Sequence, residues 1–65
     1  MFDITLTQLL VQSTAALAAA GQASARLEAE VLIAFVFKKP RSYLYAYPEV
    51  VVSDMHCQQV NALID

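Results

Sequence analysis

The feature that most constrains the fold of this chain is an apolar run that stops abruptly at a basic turn. Residues 31–37 read VLIAFVF, and Lys38-Lys39-Pro40 follow directly. A helix that is apolar on nearly every side is normally buried by neighbours on several faces. Proline cannot continue a helix, and it biases the residue before it away from helical dihedrals. The sequence therefore predicts a central helix that ends near Phe37 or Lys38, with the rest of the chain packed around it.

Length and charge bound what the chain can be. Its 65 residues make one domain at most, and a chain of this size buries only about 60% of its unfolded surface. The net charge of −2 argues against a general nucleic-acid binder, which needs a basic field to attract phosphates. A single cysteine excludes an internal disulfide and any metal site built from several cysteines.

The N-terminal region matches a targeting signal only in part. The stretch AALAAAG, ending at Gly21, resembles a signal-peptidase site, but Met1-Phe2-Asp3 lacks the positive charge that precedes the apolar part of a signal peptide. The apolar runs are shorter than the ~20 residues of a membrane-spanning helix. We therefore expect neither a signal peptide nor a membrane span.

The first helix has defined start and stop signals. Thr5 with Gln8 fits a capping box, and Ile4 with Leu9 fits a hydrophobic staple. Gly21 provides the left-handed residue that commonly ends a helix. Its apolar face consists of four leucines: Leu6, Leu9, Leu10 and Leu17. The small residues Ser13 and Ala16 on this face would let a neighbouring helix approach closely.

The second and last helices are predicted from similar signals. Ser24 caps the second helix, in which Arg26 and Glu30 form an i,i+4 pair worth ~0.3 kcal/mol. Ser53 begins the last helix. Its apolar stripe consists of Cys57, Val60, Ile64 and Leu63. Nothing in the sequence ends this helix at Asp65, so we expect the natural chain to continue.

Residues 42–52 fit two interpretations. Tyr43, Tyr45 and Tyr47 alternate before three valines, which favours a hairpin that turns at Pro48-Glu49. An isolated two-stranded hairpin is barely stable, however. The alternative is a short helix capped by Ser42, with Leu44 and Tyr47 pointing inward, followed by an extended link. The pattern leaves both open.

The residue types give little sign of catalysis. His56 and Cys57 are adjacent, so on a helix they point about 100° apart and do not form a nucleophile–base pair. The simpler interpretation is a core cysteine beside an exposed histidine. With one glycine in the chain, a GxGxxG nucleotide loop is impossible. We expect that this chain alone is not an enzyme.

The basic turn is the candidate for contact with a partner. Lys38, Lys39 and Arg41 form the one charge cluster, and Tyr43 and Tyr45 lie beside it. The simpler interpretation is a solvated helix end, where positive charge complements the helix dipole. The functional interpretation is a docking surface for an acidic partner, because Tyr and Arg are enriched in protein interfaces.

Three segments together resemble a known family. They are residues 26–32 (RLEAEVL), residues 39–49 (KPRSYLYAYPE) and residues 57–63 (CQQVNAL). In order and spacing they resemble the N-terminal domain of the release-factor glutamine methyltransferases, the HemK/PrmC family. Two departures stand out. Glu28 replaces a frequent aspartate and Lys38 replaces a frequent glycine.

The resemblance implies an all-α fold, a small bundle of four or five helices, and favours the short helix over the hairpin. It implies that residues 1–65 are a single N-terminal helical domain that helps to bind a peptide-chain release factor. Its partners would be the release factor and the missing catalytic domain, one of which would cover the surplus apolar and tyrosine surface. The Rossmann-like catalytic domain, which uses S-adenosylmethionine to methylate the glutamine of a Gly-Gly-Gln motif, would be absent from this chain. No catalytic, cofactor-binding or metal residue is carried over. The parent enzyme would be cytoplasmic and would contact neither nucleic acid nor membrane directly.

Two alternatives come from other classes of protein. One is a stand-alone helical interaction module, such as a dimer that pairs its exposed apolar faces. The other is a helix-turn-helix DNA binder that uses the turn from Lys38 to Arg41, which the acidic balance of the chain argues against.

Overall fold

The computed structural model describes residues 4–64 and shows four helices and one pair of short strands. The elements in chain order are β1 (Ile4–Thr5), α1 (Leu6–Ala19), α2 (Ala25–Phe37), α3 (Ser42–Ala46), β2 (Val51–Val52) and α4 (Asp54–Ile64). The predicted small all-α bundle is confirmed. The expectations about Met1-Phe2-Asp3 and about the helix end at Asp65 lie outside the described residues.

The ends of α1 follow the predicted signals. The Gln8 backbone N–H donates to the Thr5 hydroxyl at 3.2 Å, and the Thr5 N–H donates to Gln8 Oε1 at 2.9 Å. This is the reciprocal capping box. Beyond the helix, Gly21 has φ +91°, and the Gln22 N–H donates back to the Leu17 carbonyl at 3.1 Å. Glycine tolerates this left-handed backbone, so the chain turns sharply into α2.

The hairpin interpretation of residues 42–52 is wrong. Residues 42–46 form α3, and β2 pairs antiparallel with β1, with Ile4 opposite Val52 and Thr5 opposite Val51. The Leu6 N–H extends this link by donating to the Val50 carbonyl at 2.9 Å. The valine run does form a strand, but its partner lies at the other end of the sequence.

Two details of the short-helix interpretation need correction. Arg41, not Ser42, occupies the N-cap position of α3. Leu44 points inward as predicted, at 5% exposure, but Tyr47 is 54% exposed. Tyr47 follows the last residue of α3, and its ring lies against that of Tyr43 with centroids 4.8 Å apart.

The core lies where α1 packs on α2 and α4. The α1 leucines and Ser13 are buried as expected, but Ala16 is exposed and does not serve the close approach. The best-buried large residues are Leu6, Leu9, Ile33, Val52 and Val60. Ser24 stands at the N-cap of α2, although its side chain makes no capping hydrogen bond.

The expectation that α2 is buried on nearly every side is wrong. Ala29 and Ile33 are fully buried, but Val31 and Phe35 are 47% and 71% exposed. The physical reason is that α1, α3 and α4 cover only part of the circumference of α2 in this chain. One apolar side of the helix therefore faces outward.

The last helix also departs in part from its prediction. Val60 is fully buried and Cys57 is half-buried against the core, but Leu63 is 47% exposed. His56 was expected to be exposed. It is half-buried because its ring stacks on Phe37, with centroids 4.6 Å apart.

Candidate functional site: the basic turn after α2

The turn after α2 places two lysines on the surface. Lys38 has φ 56° and ψ 43°, the left-handed conformation that usually requires glycine. The Lys39 N–H donates to the Ala34 carbonyl at 3.1 Å, which closes the helix end. Both lysine side chains are exposed, and within residues 4–64 neither forms an ion pair. The turn therefore presents two positive charges to solvent.

A buried carboxylate holds the next two predicted contact residues. Glu30 is 3% exposed. Arg41 Nη2 donates to its Oε1 at 3.1 Å, while the Tyr45 hydroxyl and Arg26 Nε donate to its Oε2, the latter at 3.1 Å. The side chain of Arg41 is 49% exposed and Tyr45 is 58% exposed. Glu30 thus fixes one end of each side chain and leaves its outer surface open.

These contacts keep the carboxylate ionised in spite of its burial. The hydrogen bond from the Tyr45 hydroxyl has the largest effect and lowers the pKa of Glu30 below its ordinary value of 4.5. Burial opposes this effect by raising the pKa, and the bonds from Arg41 and Arg26 add to the lowering. In return, the bond to Glu30 raises the pKa of Arg41. At neutral pH this cluster is therefore a charged network.

Tyr43 supports the turn from the other side. Its ring is half-buried, and the Lys39 ammonium lies 5.6 Å from the ring centroid, within the range of a cation–π interaction. The structure thus brings Lys39 to Tyr43 and brings Arg41 with Tyr45 to Glu30. Lys38 extends into solvent from the turn itself. The five predicted residues all lie on the segment 38–45, which we call the basic turn surface.

An apolar groove lies next to this surface, between α2 and α4. Its volume is about 840 Å³. The lining residues are Val31, Ala34, Phe35, Val36, Lys38, Lys39, Arg41, Gln59, Ala62 and Leu63. We call this the α2–α4 groove. The three cations of the basic turn surface contribute to its lining, so the two features are continuous.

The sequence left open that Glu28 or Glu30 bonds a neighbouring helix end, but it did not predict the burial of Glu30, its bonds to Arg41 and Tyr45, or the groove. It indicated Glu30 as a surface partner of Arg26 and predicted burial for the run that contains Phe35. The sequence does contain an indication that Glu30 is buried. The residues three and four positions further on share its side of the helix and are apolar, Ile33 and Ala34. No comparable signal showed which side of α2 would remain uncovered.

The described residues offer no arrangement for metal chemistry. Within residues 4–64, no three His, Cys, Asp or Glu side chains form a group that could hold a metal ion. His56 Nδ1 lies 3.2 Å from the Ser53 hydroxyl of the same turn. None of the helices in this part of the chain has the length and apolar character to cross a membrane.

The fold and its surfaces define a class: a small helical domain with an ordered basic turn beside an apolar groove. The sequence model described as the PrmC N-terminal domain matches residues 8–65, and the chain belongs to this family. The predicted resemblance is therefore confirmed. The chain is 39% identical over 63 residues to the release factor glutamine methyltransferase of Aliivibrio fischeri, which covers 97% of the chain and 22% of that protein. It thus spans about a fifth of the length of this curated relative. No solved structure matches.

Proposed function

We propose that residues 1–65 are the substrate-recognition domain of a methyltransferase that modifies a glutamine of peptide-chain release factors. The observation that carries this proposal is membership of the PrmC N-terminal domain family, together with the 39% identity to a relative named release factor glutamine methyltransferase. The stand-alone module stays the alternative. The parent enzyme would act in the cytoplasm.

In this proposal the Rossmann-like catalytic domain of the parent carries out methyl transfer, and this chain takes no part in the chemical steps. S-adenosylmethionine would supply the methyl group there. The single glycine of the chain, Gly21, lies in the connection between α1 and α2, so the chain offers no glycine-rich loop that could cradle such a cofactor. The role that the family resemblance implies for residues 4–64 is to bind and orient the protein substrate.

The basic turn surface is our candidate for that contact. Lys38 and Lys39 carry charges that no described carboxylate neutralises, so an acidic patch on the release factor would gain attraction without first breaking an ion pair. Charge complementarity of this kind steers association and fixes orientation. Tyr43, Tyr45 and Arg41 add the residue types that dominate binding energy in interfaces.

The network around Glu30 supports this role. Arg41 and Tyr45 are long side chains that would lose rotamer freedom on binding, which costs about 0.5–1.5 kcal/mol for each one immobilised. Their bonds to the buried carboxylate already restrict them in the unbound domain. Part of the ordering cost is therefore met during folding, and affinity for the partner increases.

The test is a methylation assay with the full-length parent and the release factor of the same organism. The double variant Lys38→Gln/Lys39→Gln should raise KM for the release factor about five- to tenfold, the change expected when roughly 1 kcal/mol of charge attraction is lost. The kcat should remain unchanged, because the chemistry lies in another domain. The effect should shrink at high salt.

A matched control changes the net charge equally at other exposed positions. Gln12→Glu/Gln22→Glu also makes the domain more negative by two charges, but on α1 and on the connection to α2. Its KM should stay close to that of the parent. Equal KM values for the lysine variant and the control would reject the basic turn surface. An absence of any methylation of release factors by the parent would reject the function itself.

A further inference from the structure

A smaller cavity lies between α1 and α3, beside the network around Glu30. Its volume is about 190 Å³. Three buried leucines form its floor, and none of them is more than 7% exposed: Leu6, Leu10 and Leu44. The other residues that line it are exposed to solvent and form its rim: Thr7, Val11, Arg26, Tyr45 and Pro48. We call this cavity the α1–α3 pocket.

The size of the pocket suits one side chain of a partner protein. Pockets for small-molecule ligands usually enclose about 300–1,000 Å³, whereas an apolar cavity of roughly 150 Å³ is large enough to hold benzene. The α1–α3 pocket lies between these sizes. It therefore fits a single group as large as a leucine, methionine or phenylalanine side chain, and its leucine floor favours an apolar group. Anchor residues that fill such pockets supply much of the binding energy in protein interfaces.

The rim of the pocket is fixed before any partner binds. Arg26 Nε and the Tyr45 hydroxyl both donate to Oε2 of the buried Glu30. At another part of the rim, the Thr7 N–H and the Thr7 hydroxyl each donate to the Pro48 carbonyl at 3.1 Å. A pocket whose rim is already ordered loses little conformational freedom on association, so it is well suited to hold an anchor.

Arg26 gives the rim a positive charge that the domain does not fully neutralise. Its side chain is 61% exposed. A guanidinium group has five N–H donors, and within residues 4–64 only Nε of this side chain donates a hydrogen bond, to Glu30. Glu30 also pairs with Arg41, so one carboxylate faces two guanidinium groups. The remaining donors of Arg26 are therefore available to a second carboxylate, which a guanidinium group can bind through two parallel bonds.

We propose that the α1–α3 pocket receives an apolar side chain of the release factor, and that an aspartate or glutamate beside this side chain pairs with Arg26. The inference rests on the proposed function and deepens it, because it names a second contact and the residue types that the partner must present there. Tyr45 lines the pocket and also belongs to the basic turn surface. A release factor that covers Tyr45 therefore meets both features.

The first test fills the pocket in the full-length parent and measures methylation of the release factor. Val11 is 60% exposed on the rim, so Val11→Trp places an indole at the cavity with little effect on the core. The KM for the release factor should rise about tenfold or more, the loss expected when one leucine-sized side chain is no longer buried. The matched control is Val51→Trp, the same change at a valine that is 62% exposed and does not line the pocket. Its KM should stay close to that of the parent.

The second test concerns the carboxylate that pairs with Arg26. Arg26→Gln should raise KM about fivefold relative to the parent at low salt, and this ratio should fall as salt screens the charge attraction. The ratio for Val11→Trp should persist at high salt, because its cause is apolar. A ratio for Arg26→Gln that does not respond to salt would mean that the arginine only holds Glu30 and Tyr45 in place, and this result would overturn the predicted ion pair.

Photo-crosslinking identifies the occupant and does not depend on the folding of Val11→Trp. With p-benzoylphenylalanine in place of Val11, irradiation of the parent with the release factor should yield a cross-link to an apolar residue. That residue should lie next to an aspartate or glutamate, or one helical turn away from one. Cross-links found only within the parent would assign the pocket to its own chain, and cross-links to a release-factor segment without an acidic residue would remove the role of Arg26. Either result overturns the inference.

Methyl transfer by the unsubstituted parent separates this inference from the proposed function. If the parent methylates the release factor and Val11→Trp has the same KM as Val51→Trp, the pocket contact alone is rejected. If the unsubstituted parent does not methylate release factors, the proposed function is rejected, and the pocket contact is rejected with it.

Discussion

On α2 a glutamate is buried, while a phenylalanine five positions further on is exposed to solvent. Glu30 is 3% exposed and Phe35 is 71% exposed. Glutamate is almost never fully buried unless it is paired, whereas phenylalanine is among the residues found most often inside. Glu30 is buried because three donors reach its carboxylate. Phe35 is exposed because no described element packs over it. In so small a domain, burial depends on which neighbours a face meets.

The two sides of α2 therefore have different roles. The side that carries Ala29 and Ile33 is completely buried and holds α2 in the bundle. The side that carries Val31 and Phe35 contributes less to the stability of this chain, because those residues keep 47% and 71% of their surface exposed. The first side serves folding, and the second is available for an additional element.

The strongest test of this comparison truncates one residue on each side. Ile33→Ala should lower the free energy of unfolding by about 2–4 kcal/mol, because it removes a buried side chain and leaves a cavity. Phe35→Ala should change it by less than about 0.5 kcal/mol in the 65-residue chain, as surface substitutions usually do. Urea unfolding followed by circular dichroism measures both. Similar losses for the two variants would show that the groove side is also packed.

The sequence predicted those parts of the fold that depend on local chemistry. The capping box of Thr5 and Gln8, the left-handed Gly21 and the stop before Pro40 each involve residues within five positions of one another. The pairing of Ile4 with Val52 joins residues 48 positions apart, and no local pattern indicates that partner. For the same reason the uncovered side of α2 was not predicted, since it depends on where α3 and α4 pack.

The candidate site was predicted only as a set of residues. Lys38 to Tyr45 stood out because they combine positive charge with tyrosines in one short segment. The sequence could not show that Arg41 and Tyr45 share the carboxylate of Glu30, because this arrangement requires α3 to fold back against α2.

The pair of Arg26 and Glu30 was predicted and is confirmed at 3.1 Å. Its estimate of ~0.3 kcal/mol assumed an exposed helix surface, which does not describe a carboxylate at 5% side-chain exposure.

The second test asks whether the buried carboxylate stabilises the chain. Glu30→Gln should lower the free energy of unfolding at pH 7 by about 1–2 kcal/mol, a moderate value because both arginines are half-exposed and screened by water. Folding lowers the pKa of Glu30 below 4.5. The carboxylate therefore stabilises the folded chain above the pKa of the unfolded state, and this contribution disappears as pH falls through the lower folded-state pKa. The difference between the two proteins should shrink as the pH falls below about 4.5.

Glu28→Gln is the matched control for this titration. Glu28 lies one helical half-turn earlier and is exposed. Its replacement should change the free energy of unfolding by less than about 0.5 kcal/mol at pH 7. Urea midpoints measured from pH 7 to pH 3 compare the three proteins. A Glu30→Gln difference that stays constant over this range would mean that the side chain matters for its shape and not for its charge.

The smallest expected change in the free energy of unfolding concerns Lys38, the residue that follows the last turn of α2. Lys38 adopts a left-handed backbone with φ 56°, which costs a non-glycine residue roughly 1–2 kcal/mol. Glycine avoids this cost but adds about 0.5–1 kcal/mol of conformational entropy to the unfolded chain, so Lys38→Gly should raise the free energy of unfolding by about 0.5–1 kcal/mol. Lys39→Gly, at the next position, should not raise the free energy of unfolding, and urea unfolding of both variants measures the contrast.

The KM of the parent for the release factor shows whether the lysine at this turn is used. A gain in stability from Lys38→Gly, accompanied by a higher KM, would show that this chain keeps a strained lysine at the turn because its charge is used. A gain with unchanged KM would restrict the contact to Lys39 and the residues that follow it.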